Sequence, residues 1–389
     1  MIAAGLIALV AGVDVPIWNH LLPVQLSVVR DEANSYKLYY GGDDLVSINL
    51  ATSEDGLAWT DWPDNPIITD GQYHATVRFY ESHFVGAGTG ASPSTGDMHY
   101  RMWYSGSACY GIGGWRYAES ADGVAWHNRM AVTQTAPLVY SDAVCMTGGI
   151  ADVAYIPMAT NTGTDWKFRI YATVQWTVGM GFEYRVLLAF SANGYEWHGY
   201  DPTDVGYATP VFAGSEDAGE FDAAHVMWFR LAKTTRDNDL DEDDNWEVFY
   251  SGGAVTPHGK PSGIGRATST DGFSWTRSVV VVTTEDGVAW RNASVTAGSP
   301  IDLDSTHYRG YFLGTNASGP DAPFRLGYFD FEHPPSVDVS DIQTSLLSAI
   351  WIVFGVEAAA IAGYLAARTC SKPHSKRHRV NAHTAYGEK

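Results

Sequence analysis

The chain has little of several things. Its 389 residues hold three cysteines, Cys109, Cys145 and Cys370. No Cys-x-x-Cys spacing occurs, which argues against a zinc knuckle or a thioredoxin-type site. Cys109 and Cys145 can pair if that part of the chain lies outside the cell, or remain two buried thiols. Charged residues make up 17% of the chain, against about 25% in an average soluble protein. Lys and Arg number 24 against 44 Asp and Glu, a formal net charge of −20. No basic face precedes residue 368, so a nucleic-acid partner is not expected. Runs of Ala, Leu, Glu and Lys are also scarce before the C-terminus, which excludes a helical bundle there.

One long hydrophobic run does exist, at 345–367 (SLLSAIWIVFGVEAAAIAGYLAA). As a helix it is long enough to cross about 30 Å of hydrocarbon. Asp338 and Asp341 precede it, and Arg368, Lys372, Lys376, Arg377 and Arg379 follow. That asymmetry predicts one transmembrane helix, a basic cytoplasmic tail at 368–389 and everything before 340 outside. A linker at 336–344 joins the helix to what precedes it. Glu357 is the one charge inside the run. It reads either as a contact to a protein partner in the membrane or as a protonated carboxyl tolerated among small residues. Residues 1–13 form a shorter apolar run, for which three readings stand: a signal segment, an uncleaved anchor or a first strand.

Aromatic residues are abundant, with 14 Trp, 22 Tyr and 15 Phe, and they recur in phrases. One phrase is an apolar residue, an aromatic pair, a small residue and Gly. It occurs at Leu38-Tyr39-Tyr40-Gly41-Gly42, Met102-Trp103-Tyr104-Ser105-Gly106 and Val248-Phe249-Tyr250-Ser251-Gly252. It is weaker at Ile170-Tyr171-Ala172-Thr173 and returns at Gly310-Tyr311-Phe312-Leu313-Gly314. A second phrase, Ser-x-Asp/Asn-Gly-x-x-Trp, follows the first four copies. Its tryptophans are Trp59, Trp126, Trp197 and Trp275, spaced 67, 71 and 78 residues apart. Asp-Gly and Asn-Gly favour tight hairpins because both residues tolerate positive φ. The Ser can hydrogen-bond turn backbone, and the Trp opens the next strand and fills the gap between sheets. A lookalike at Asp286-Gly287-Val288-Ala289-Trp290 comes too soon after Trp275 for another unit and reads as an inter-unit loop.

Period and phrasing predict an all-β, five-bladed β-propeller over 14–335, each blade about four strands. The fifth unit lacks the second phrase. Its missing outer strand is expected from the N-terminus, around Asp14 to Trp18, tying first blade to last. The acidic window 237–245 (DNDLDEDDN) reads either as a solvated hairpin tip or as a weak Ca²⁺ site, and no other cofactor or metal spacing is found.

With these phrases the chain resembles the five-bladed propeller glycoside hydrolases: the arabinanase/xylosidase, invertase/levansucrase and mannoside-phosphorylase families. The Gly-Trp phrase is similar to the Asp-box of sialidases, but with one residue fewer between Asp and Gly, and no arginine triad is found. The resemblance implies a carbohydrate site at the mouth of the channel. There an acid, a base or nucleophile and a tuning carboxylate each open an inner strand. Matching by position, Asp152 stands for the tuning carboxylate and Asp222 for the acid, with Glu220 two residues earlier as its substitute. Gln25, a neutral amide, stands where the first blade should carry an Asp. Asp14 and Asp31 are the nearest replacements. His74, Thr76, His225 and Ser294 line the same openings as substrate-binding positions. Loops carrying Tyr110, Trp115 and Trp176 are candidates for stacking on sugar rings. Three functions fit: a membrane-anchored glycoside hydrolase with an incomplete carboxylate set, an ectodomain that binds glycan or protein without hydrolysis, and a structural subunit of a membrane assembly.

Overall fold

The computed structural model describes residues 9–10, 16–22, 26–31, 33–42, 47–69, 75–79, 100–105, 115–135, 150–155, 166–178, 181–202, 208–217, 219–223, 225–232, 246–253, 261–304, 307–316 and 324–332. All lie in the first of two compact units, Met1–Pro334; the second is Pro335–Lys389. The expected transmembrane segment, linker and tail fall outside the described residues. So do the 237–245 window, Cys109, Cys145, Tyr110, Gln25 and His74. Among the described residues no helix is long and apolar enough to cross a membrane.

Two strands from the N-terminus, β1 (Leu9–Val10) and β2 (Trp18–Leu22), come first in the chain. Blade one follows as β3 (Leu26–Arg30), β4 (Tyr36–Gly41), β5 (Ile48–Ser53) and β6 (Thr60–Asp61). Blade two is β7 (Ala75–Phe79), β8 (Tyr100–Ser105), β9 (Trp115–Ser120) and β10 (His127–Ala131). A short β11 (Thr133–Thr135) then crosses to run parallel with the outer strand of blade three. Blade three comprises β12 (Ile150–Tyr155), β13 (Phe168–Val178), β14 (Gly181–Ser191) and β15 (Glu196–Gly199), with β16 (Pro210–Phe212) added to β14. Blade four is β17 (His225–Leu231), β18 (Trp246–Gly253), β19 (Gly263–Ser269) and β20 (Thr276–Thr283). Blade five is β21 (Ser294–Asp302), β22 (His307–Thr315) and β23 (Phe324–Glu332). The first strands β3, β7, β12, β17 and β21 touch in a closed ring, β21 returning to β3.

The expected closure is present. Trp18 pairs with Leu326 and Leu22 with Phe324, while Leu9 pairs with Phe331 and Val10 with Asp330. The N-terminus therefore supplies the outer strand of the last sheet, which removes an open edge. The segment around Asp286 is a turn and a short 3-10 helix (Ala289–Arg291), between blades as expected.

The recurring Gly-Trp phrase differs from a two-residue hairpin. Only the glycines take positive φ, at 71° for Gly56, 74° for Gly123, 88° for Gly194 and 72° for Gly272. The preceding Asp folds back instead: Asp55 Oδ1 accepts the N–H groups of Leu57 and Ala58 at 2.7 and 2.8 Å. Ser53 Oγ accepts the N–H of Gly56 at 2.9 Å. Asp122, Asn193 and Asp271 repeat this arrangement.

Each box is clasped by the blade before it. Tyr39 donates its hydroxyl to Gly123 O at 2.9 Å, Tyr171 to Gly272 O at 2.8 Å and Tyr311 to Gly56 O at 3.0 Å. Trp103 Nε1 does the same to Gly194 O at 2.6 Å. The residue two before each clasp is cationic: Lys37, Arg101, Arg169 and Arg309. Arg169 Nη1 donates to Asp271 O at 2.8 Å. Blade four breaks the pattern with Glu247 and Phe249, and it faces blade five, the blade without a box. There Glu247 pairs instead with Arg266 and accepts the Tyr308 hydroxyl. The box tryptophans pack edge-on against the same clasps, as Trp59–Tyr311, Trp126–Tyr39 and Trp275–Tyr171.

Candidate functional site at the channel

The five inner strands all run away from the same end of the channel. Their register defines rungs. Tyr39, Trp103 and Tyr171 lie opposite Ser27, Thr76 and Asp152, Phe249 in the corresponding place lies opposite Arg230, and Tyr311 lies opposite the bulge at Gly298–Ser299. These five polar positions form one layer and knit the blades together. Val77 N donates to Ser27 Oγ and Val28 N to Ser299 Oγ, both at 3.0 Å. Leu231 N donates to Asp152 Oδ2 at 2.9 Å. Arg230 reaches across from blade four to Thr76 Oγ1 of blade two at 3.2 Å and Leu26 O of blade one at 3.1 Å. Arg78 ion-pairs with Asp152 and donates through Nε to Val153 O. Burial, helped by the like charge of Arg78, pulls the Arg230 guanidinium down to about 10 against the attraction of Asp152.

Asp152 is thus fully engaged. It is buried, and besides Arg78 it accepts N–H groups from Val153 and Leu231. Thr76 stands in the same layer and is buried.

Asp222 sits elsewhere. It lies in the turn before β17, fully buried, with Oδ2 accepting Arg277 Nε at 2.8 Å. Arg277 belongs to β20, the outermost strand of blade four, and stacks over the Phe212 ring. A Cβ at Gly252 would lie 2.4 Å from Asp222 Cβ, so the glycine is what lets the turn press on the sheet. Asp222 Oδ1 has no hydrogen-bond partner among the described residues. Among the described residues no hydrogen bond or ion pair joins Asp222 to Asp152. Glu220 is exposed in the same turn, with no side-chain bond among the described residues. Asp31, on the loop after β3, is held by Lys37 and the N–H of Ser35.

His225 opens β17 as expected. It is fully buried, packed on Gly253 and edge-on to Tyr184 of blade three at 5.9 Å, and among the described residues both ring nitrogens lack partners. Burial lowers its pKa, partly countered by Asp222. Ser294 opens β21 and gives its hydroxyl to Pro261 O at 2.9 Å. Trp115 is core rather than surface, packed with Trp103 and Tyr117. Trp176 lies on the long β13–β14 hairpin, which extends past the start of β12 at the mouth. Among the described residues no three His, Cys, Asp or Glu side chains converge on a metal site.

Sequence reasoning missed Arg78, Arg230 and Arg277. Each follows a strand pattern in which an arginine reads as an outward residue, and only the register turns it onto a carboxylate or into the channel.

No family model matches the chain, and no curated protein matches it by sequence. Solved structures do match by fold. One called "Glycoside hydrolase" superposes with a TM-score of 0.53 at 13% identity, over 81% of this chain and 90% of its own. A candidate glycoside hydrolase from Bacteroides ovatus gives 0.51 at 13%, over 82% and 91%. The five-bladed propeller of this chain is the fold of those proteins.

Proposed function

We propose that this chain is a membrane-anchored propeller, similar to the glycoside hydrolases in fold, that binds carbohydrate at the channel mouth without hydrolysing it. One observation carries the reading. Both carboxylates matched to the catalytic set are already bound by arginine, Asp152 by Arg78 and Asp222 by Arg277. Hydrolysis needs one carboxyl to give a proton and another to act as base or nucleophile, at a separation of about 5–10 Å across the sugar. A carboxylate already hydrogen-bonded to a guanidinium is committed to that partner and is not free to meet the glycosidic bond. The third position is the amide Gln25. The glycoside-hydrolase neighbours support carbohydrate as the ligand class; fold alone does not fix activity.

The hydrophobic run at 345–367 and the basic residues after it support a single-pass anchor, with the propeller outside and the tail in the cytoplasm. Glu357 then marks a contact surface for a protein partner within the membrane. Protease digestion of sealed vesicles tests this: the tail should be cut from the cytoplasmic side and the propeller from the other.

A second reading has one observation in its favour. Glu220 is exposed and adjoins the Asp222 turn, where a general acid is needed. Incubating the full chain in detergent with aryl glycosides and oligosaccharides, with and without phosphate, separates the two readings. Binding without turnover is expected. Turnover abolished by Glu220→Gln would establish the enzyme.

A further inference from the structure

Among the inner-strand side chains that the structure describes, nearly all are buried. Arg30, Tyr155 and Asp302 are partly exposed, each at the far end of its strand. Trp228 is the exception, partly exposed in the middle of β17. Its backbone is also unusual, with φ at 46°, a region bulky residues rarely enter. The register of β17 against β18 slips here, between Met227 and Arg230, so Trp228 and Phe229 together face Tyr250. A bulge of this kind re-aims side chains, and such backbone strain gathers at ligand sites. Phe229 takes the core side, packed against Phe212 and Trp275. Trp228 is turned the other way, with part of its indole against the blade four–five core.

Trp228 lies one rung nearer the mouth than Arg230. On that rung blades one, two and five carry Leu26, Ala75 and Ala297. Those three side chains are small or aliphatic and buried, so Trp228 is the large aromatic among the described inner-strand residues of that rung. Neighbouring groups have unused hydrogen-bonding capacity. Among the described residues Thr296 Oγ1 on β21, one rung further up, is buried with no partner, and neither ring nitrogen of His225, three residues before Trp228, has one. A flat apolar face beside unsatisfied polar atoms suits a ring with both C–H and hydroxyl faces.

We propose that Trp228 is the stacking platform of the channel, and that its ligand is a pyranose whose C–H face lies on the indole. This rests on the carbohydrate reading above and adds the residue and the ring geometry to it. The strained turn of backbone then has a purpose: it turns the indole off the side that Phe229 takes and leaves part of it exposed in the middle of the inner strand.

Hydroxyl-radical footprinting of the full chain in detergent, read by mass spectrometry, tests it. The probes are methyl β-glucopyranoside, methyl α-mannopyranoside and methyl β-galactopyranoside, with binding followed in parallel by saturation-transfer NMR. Trp228 should be oxidised in the free protein and protected by whichever glycoside binds. Trp228→Gly, which suits the positive φ, should weaken that binding about tenfold or more, while Trp228→Phe retains part of it. Binding with no protection of Trp228 and no loss in Trp228→Gly would overturn the platform and leave the carbohydrate reading intact. Failure of all three glycosides to bind would overturn both.

Discussion

Changing Tyr171 to Phe removes one oxygen from the clasp between blades three and four. The hydroxyl is fully buried and lies 2.8 Å from Gly272 O. Its loss leaves that carbonyl without the tyrosine donor, at a cost of about 1–3 kcal/mol. The ring itself stays, with its edge contacts to Trp246 and Trp275 at 6.4 and 6.0 Å. For a domain of this size a loss of 1 kcal/mol lowers Tm by roughly 1–2 °C. Phe249 occupies the equivalent place in blade four, where the next blade has no box to hold. Phe249→Tyr should therefore destabilise, because it buries a hydroxyl away from any box carbonyl. Gly272→Ala adds a second check. Its Cβ would lie 2.9 Å from the Tyr171 hydroxyl and 2.7 Å from Arg169 Nη1, at a φ of 72°. In the Tyr171→Phe background one of those collisions is gone, so the two losses should sum to less than their separate values. Urea unfolding of the four variants, followed by tryptophan fluorescence, gives all these values. Tyr171→Phe as stable as wild type, or a stabilised Phe249→Tyr, would refute the reasoning.

Asp152→Asn strips the anion from beside two buried guanidinium groups, Arg78 and Arg230, and should cost about 3–5 kcal/mol, measured by urea unfolding. Arg277→Met should destabilise too, by leaving Asp222 buried without its cation; a parallel Asp222→Asn in the same background should recover part of the loss. The box carboxylates set the acid limit. In Asp55 two backbone N–H groups lower the pKa; in Asp122 and Asp271 burial opposes but the N–H bonds win. Stability from these groups is present above the unfolded carboxyl range and falls as pH drops through the lowered folded values, so acid unfolding should steepen below about pH 4. Asp122→Asn, which copies the natural Asn193, should flatten that slope. His225 has a folded pKa depressed by burial, so stability should already begin to fall as pH drops below about 6.5, and His225→Gln should remove that part of the profile.

The blades were legible because the box is local. Ser, Asp, Gly and Trp within seven residues build their own turn, and four copies announce the period. Closure by the N-terminus was legible by counting, since blade five lacked an outer strand. The clasp was written in the sequence as well, as Lys37-x-Tyr39, Arg101-x-Trp103, Arg169-x-Tyr171 and Arg309-x-Tyr311 against Glu247-x-Phe249. It carries meaning only once each blade is known to hold the next one's box. The candidate site was less legible. Asp152 could be located on its strand and Asp222 shortly before one, but not their arginines, which come from other strands at sequence separations of 74 and 55 residues. The bulge that turns Trp228 leaves no trace in hydrophobic alternation, because a one-residue slip is set by packing between sheets.

The central claim is binding without hydrolysis. Its most direct test is calorimetric titration of the full chain in detergent with the glycoside that footprints it, followed by product analysis of the same sample after prolonged incubation. The account predicts saturable heat and an intact glycoside. Released aglycone or reducing sugar, lost in Glu220→Gln, would contradict it.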